Sequence, residues 1–239
     1  MMTRAWWRRP WIFPLGAVVA MFLAFSLPPY LSLDPGRSRV PQPETLGVAH
    51  FWTLVPHVLF GSIALATAVV QIWPWFRRRH PAWHRRAGRL YVFGGVLPAG
   101  LTAPVVGFFT PFGPVTAASD VLLALLWLAI TLTGWRMARR RRYADHRRWM
   151  VRSFALTASI ISNRVWGVVA AVALTPQLDT TFHGDGKLLS WTVSAIAAWL
   201  GWTLPLLAAE WWLDRGRSRR VPVTDRGAAR SRPPVLSGR

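Results

Sequence analysis

Apolar residues in this chain gather into long blocks, with the polar residues confined mostly to the stretches between them. Six blocks stand out, at 11–31, 51–75, 90–109, 117–135, 151–174 and 188–213. Each is close to the ~20 residues that cross ~30 Å of hydrocarbon as a helix. The expected fold is all-α, a polytopic membrane bundle of six transmembrane helices.

Small and polar residues within the blocks fall on stripes. In the second, His50, His57, Gly61, Ala64, Ala68 and Gln71 share one face. Steps of four and three from His84 reach Gly88, Tyr91, Gly95, Pro98 and Thr102 in the third. From His146 they reach Met150, Ser153, Thr157, Ile160, Arg164, Gly167 and Ala171 in the fifth. Such steps trace one side of a helix. In a bilayer, small and polar residues collect where helices meet, while Leu, Val, Ile and Trp can face lipid. The histidines and Arg164 are therefore expected to point into the bundle.

Charge then orients the helices. The chain has 29 Lys and Arg against 9 Asp and Glu, a formal net charge of +20. A balance this basic is compatible with nucleic acid or an anionic lipid surface. Its distribution favours lipid. Arginines crowd the loops after the second and fourth blocks, the N-terminus and the tail, leaving only Arg37, Arg39 and Lys187 in the other loops. That is the positive-inside pattern, with both termini in the cytoplasm. The location it implies is a bacterial cytoplasmic (inner) membrane.

Three parts follow: a first helix with its outer loop (1–49), a five-helix core (50–213), and a basic tail (214–239) rich in Arg, Pro, Ser and Gly, expected to be disordered. The first block also reads as a signal peptide, with a basic start and Ala24-Phe25-Ser26 as a loose cleavage site. Its length and the following Leu27-Pro28-Pro29 favour an uncleaved helix. With no cysteine, disulfides, thiolate metal sites and cysteine nucleophiles are excluded.

The two basic loops resemble one another. RRRHPAWHRR (77–86) aligns without gaps on RRRRYADHRR (139–148) at an offset of 62, with seven of ten positions identical. Both lead from an incoming helix to an outgoing one, so helix pairs 2–3 and 4–5 read as a parallel repeat about an axis along the membrane normal.

At this point the chain resembles a bacterial family, the domain-of-unknown-function 2306 (DUF2306) predicted membrane proteins. The matching pieces are His57, Gly61 and Gln71, HRRAGRLY at 84–91, HRRWMVRS at 146–153, Arg164, and AEWW at 209–212. The resemblance implies a fold and a topology but supplies no reaction. A looser architectural similarity is to the transmembrane cytochromes b, which clamp haem between histidines of alternate helices. Here the third and fifth helices open on His84 and His146.

Three groups of residues carry candidate chemistry. His84 and His146 are candidate axial ligands of one b-type haem, since imidazole suits iron and bis-histidine ligation gives an electron carrier. The alternative is that both sit at the headgroup boundary and bond locally. His57, Asp120, Asn163 and Arg164 fall in the outer half of their helices and form a candidate ligand-binding cluster for an anionic or quinone-like molecule. A charge at the depth of Arg164 costs at least ~2.5 kcal/mol on insertion scales and is usually functional. Its alternative role is to cap carbonyls freed by a helix irregularity. Glu210 lies near the opposite end of its helix, at the wrong depth to pair with Arg164. Finally, Arg85, Arg86, Arg147 and Arg148 read as contacts to anionic lipid headgroups or phosphate, each worth about 1 kcal/mol near a charged surface.

Other classes fall away. No nucleic-acid recognition module or stacking platform accompanies the charge. No G-x-S-x-G, H-E-x-x-H, phosphate loop or close carboxylate pair occurs in any block. Two functions from different classes are left. One is a helix 2–5 core binding a small hydrophobic cofactor or ligand, with haem or quinone giving it a redox role. The other is a non-catalytic transporter, lipid-binding or accessory subunit.

Overall fold

The computed structural model describes residues 11–218; of the tail expected to be disordered (214–239), residues 214–218 continue the last helix and 219–239 lie outside the described residues. Ten α-helices follow one another among them. They are α1 (Ile12–Ser26), α2 (Pro28–Leu31), α3 (Val48–Ile72), α4 (Pro74–Arg79), α5 (Pro81–Arg89), α6 (Leu97–Phe108), α7 (Pro114–Arg139), α8 (Tyr143–Thr157), α9 (Ser159–Leu174) and α10 (Gly186–Ser218). A π-helical turn, Leu90–Val96, joins α5 to α6 without interrupting the rod.

Five rods are long and apolar enough to cross a membrane: Val48–Ile72, Pro81–Phe108, Pro114–Arg139, Tyr143–Gln177 and Gly186–Arg215. The first block is a lesser element. Its α1 has 15 residues, too few to cross by itself, and continues through Leu27 into the short α2. Five spans and a shorter apolar helix thus stand where the sequence suggested six.

The central four rods form a ring. α3 packs on the π turn and α6, α6 on α7, α7 on α8, and α8 returns to α3. α10 lies outside the ring against α7, α8 and α9, and α1 lies against α3. Gly95 makes the closest approach of the π turn to α3: a Cβ there would meet the Cα of Ala64 at 2.8 Å. Trp202 fixes α10 to α7 by donating to the Ser119 hydroxyl at 3.0 Å. Near the arginine-rich end, Nε and Nη2 of Arg152 in α8 both donate to the carboxylate of Glu210 in α10, with Nη2 to Oε2 at 2.8 Å.

The fourth rod, Tyr143–Gln177, is not straight. It breaks at Ala158, where neither proline nor glycine is present. Hydroxyls flank the break and compete for its carbonyls: Thr157 donates to the Ser153 carbonyl at 2.9 Å, and Ser159 to that of Leu156 at 2.6 Å. Such back-bonding bends helices. Beyond the break α9 packs chiefly on α10, and this divergence leaves space inside the bundle.

Candidate functional site

That space is a cavity of about 890 Å³, walled by α1–α2, α3, α6, α7, α9 and α10. Cavities of 300–1,000 Å³ are the usual size for small-molecule sites. His57, Asp120, Asn163 and Arg164 all line it. So do Ile160, Gly167 and Ala171, which continue the stripe that Arg164 occupies on α9.

Each polar side chain is held by a distinct device. His57 donates its Nδ1 hydrogen to the Ala99 carbonyl at 3.0 Å, which fixes the tautomer and leaves Nε2 as an acceptor. Asp120 fits against Gly107, where any side chain would collide with its Cβ at 2.8 Å. Asn163 sits against Gly201 in the same way, at 2.9 Å. Among the described residues, Asp120, Asn163 and Arg164 have no hydrogen-bond partner and no ion pair. The Thr157 and Ser159 hydroxyls, not Arg164, satisfy carbonyls at the break.

Three further lining groups escaped the sequence reading. Tyr30 is 5% exposed, stacks on Phe51, and lies within electrostatic range of both Arg39 and Arg164. Arg39 lies over the Phe25 ring at 3.6 Å. The Thr116 hydroxyl is buried without a partner. One signal was present: Arg39 is among only three cations in the loops on the side away from the arginine-rich ones.

At the floor of the cavity, where Trp127 and Thr157 line it, lies a hydrogen-bonded polar cluster. Trp127 donates to the Thr157 hydroxyl at 2.9 Å, and Thr157 spends its own proton on the Ser153 carbonyl. Tyr91, 2.7 Å from Thr157, must therefore donate to it. Ser153 then donates to Tyr91, and Thr131 to Ser153 at 2.6 Å. Each of these hydroxyls carries one proton, so the whole order is determined. Tyr91 and Ser153 are themselves a pair at offset 62.

The histidine pair lies elsewhere. His146 donates from Nδ1 to the Gly134 carbonyl at 2.8 Å, while Nδ1 of His84 is buried without a partner. The two rings are close enough for their charges to interact, and neither lines the cavity. The backbone carbonyl of His84 accepts from Gln71 at 2.9 Å. Arg85, Arg86 and Arg147 are exposed and Arg148 half-buried, with Arg86 over Trp83 and Arg147 over Trp212.

The model of one family, described as predicted membrane protein (DUF2306), matches residues 54–213. The chain belongs to the DUF2306 family. No curated protein and no solved structure matches it. The matched stretch of this DUF2306 member contains all five long spans but for the start of α3 and the last residues of α10. His57, Asp120, Asn163 and Arg164 lie inside it, whereas Tyr30 and Arg39 lie outside. Family and fold together make the chain a multi-pass membrane protein.

Proposed function

We propose that the protein resides in a bacterial cytoplasmic membrane, arginine-rich loops inward, and binds a small amphipathic ligand in the cavity beside α9. One observation carries the reading. Three separate helices bring His57, Asp120, Asn163 and Arg164 to one cavity, and three of the four side chains have no partner within the described chain. Polar groups held at membrane depth without partners are costly, and they are kept where a ligand completes them. The donors Asn163 and Arg164 face an acceptor pair, His57 Nε2 and Asp120, which suits a quinone-like or anionic head on an apolar body. On the arginine-rich side, Arg85, Arg86, Arg147 and Arg148 serve as contacts to anionic headgroups, with Arg86 and Arg147 supported by the Trp83 and Trp212 rings.

Native mass spectrometry of the protein purified from its membrane tests the cavity. A bound species of small-ligand mass is expected, reduced at least tenfold in Arg164→Leu. Equal retention by the two proteins would remove the reading.

A second reading attaches to His84 and His146 as axial ligands of a b-type haem, which would supply one-electron chemistry. Its support is the tethered Nδ1 of His146, the arrangement that orients metal-ligating imidazoles, beside the unpartnered Nδ1 of His84. Protein expressed with haem supplied should then give a reduced-minus-oxidised Soret difference. A colourless preparation ends the haem reading and leaves the cavity reading standing.

A further inference from the structure

The cavity is charged toward one end and uncharged toward the other, and its charges do not balance. Depth follows from counting residues from the helix ends that lie away from the arginine-rich loops. At 1.5 Å per residue, Asp120 is ~9 Å down α7, His57 ~14 Å down α3 and Arg164 ~15 Å down α9. Leu65, Trp127 and Trp202 lie ~20–26 Å down their helices. Arg39 belongs to the loop above them all. A cationic and hydrogen-bonding upper zone thus stands over an uncharged floor, whose polar groups at Trp127 and Thr157 are already bonded within the chain.

Among the charged lining residues, two arginines, Arg39 and Arg164, face a single aspartate, Asp120. Arg164 makes no ion pair among the described residues. One cation is left over, in a place where an uncompensated charge is expensive. The Thr116 hydroxyl gives an independent sign of a missing partner: the residue is 4% exposed, lines the cavity, and bonds to nothing in the described chain. A buried group of this kind is ordinarily satisfied.

We infer that the ligand is a single-chain amphipathic monoanion, a fatty-acid-like carboxylate with its head between Arg39 and Arg164 and its chain running down toward Trp127. This rests on the cavity reading and narrows it. One negative charge neutralises the excess. A dianion overshoots it, and a quinone or alcohol leaves it uncompensated. The volume of about 890 Å³ suits one chain better than a two-chain lipid.

The test uses the full chain in phosphatidylcholine nanodiscs, titrated with dodecanoate, with dodecanol and with a short-chain quinone. Dodecanoate should bind at least tenfold tighter than dodecanol. Arg164→Gln and, separately, Arg39→Gln should each erode that preference while leaving dodecanol affinity within about twofold; Arg39, in a loop, guards against a folding artefact. Equal binding of acid and alcohol, tighter binding of the quinone, or an undiminished acid preference in both variants overturns the monoanion but spares the cavity. If none of the three probes binds, both readings fall.

Discussion

Tyr91 shows how much a single oxygen does in this bundle. Its hydroxyl accepts from Ser153 and donates to Thr157, so one atom joins the second span to the fourth twice. Tyr91→Phe keeps the ring and its packing but leaves the Ser153 proton without an acceptor. The expected cost is about 1–3 kcal/mol, seen as a lower unfolding midpoint in mild detergent. Adding Ser153→Ala should cost less than the sum of the two single changes, because they break the same contact. An unshifted midpoint in Tyr91→Phe would show that the cluster contributes nothing. At this scale the sequence was informative where depth alone decides. His57, Asp120, Asn163 and Arg164 could be assigned to one half by counting residues. What could not be counted was lateral position. Arg152 and Glu210 are 58 residues apart, and only packing of α8 on α10 brings them together. Tyr30 and Arg39 belong to segments without periodicity, so beyond the rarity of a cation in the loop of Arg39 the chain did not point them at the cavity.

Among the elements, the two irregular ones matter most, and both were hidden. The break at Ala158 has no proline or glycine to announce it, because competing hydroxyls produce it. The π turn at Leu90–Val96 lies within an apolar block whose composition suits an α-helix equally well. Gly95 belongs to that turn, and the sequence placed it on the inward stripe without saying what it touches. Its neighbour is the backbone of Ala64, which cannot yield as a flexible side chain would. Gly95→Leu should therefore destabilise the bundle by roughly 1–3 kcal/mol through overpacking. A thermal unfolding curve unchanged from the parent protein would contradict this contact.

For the whole molecule, membrane physics made the architecture legible. A chain in hydrocarbon must satisfy its backbone within each span, so apolar block length maps almost directly onto helices. The weak point was the first block, whose α1 is only 15 residues and stands apart from the ring. Orientation is a statement about charge rather than packing, and it is checked in cells. A fluorescent protein fused after Ser218 should be bright and alkaline phosphatase at the same point inactive, with the opposite result for fusions in the loop after α9. Reversed signals would invert the proposed topology.

The ordered hydroxyls at the floor of the cavity carry a consequence for the membrane itself. Protons pass along hydrogen-bonded chains only when each link can hand one on and turn to receive another. Here the sequence of donations ends on the Ser153 backbone carbonyl, which has no proton to give and does not rotate. The centre of the bundle is polar enough to bind helices together and yet behaves as an insulator. The polar hollow on one side therefore stops at this cluster and does not continue through the bundle as a path for protons.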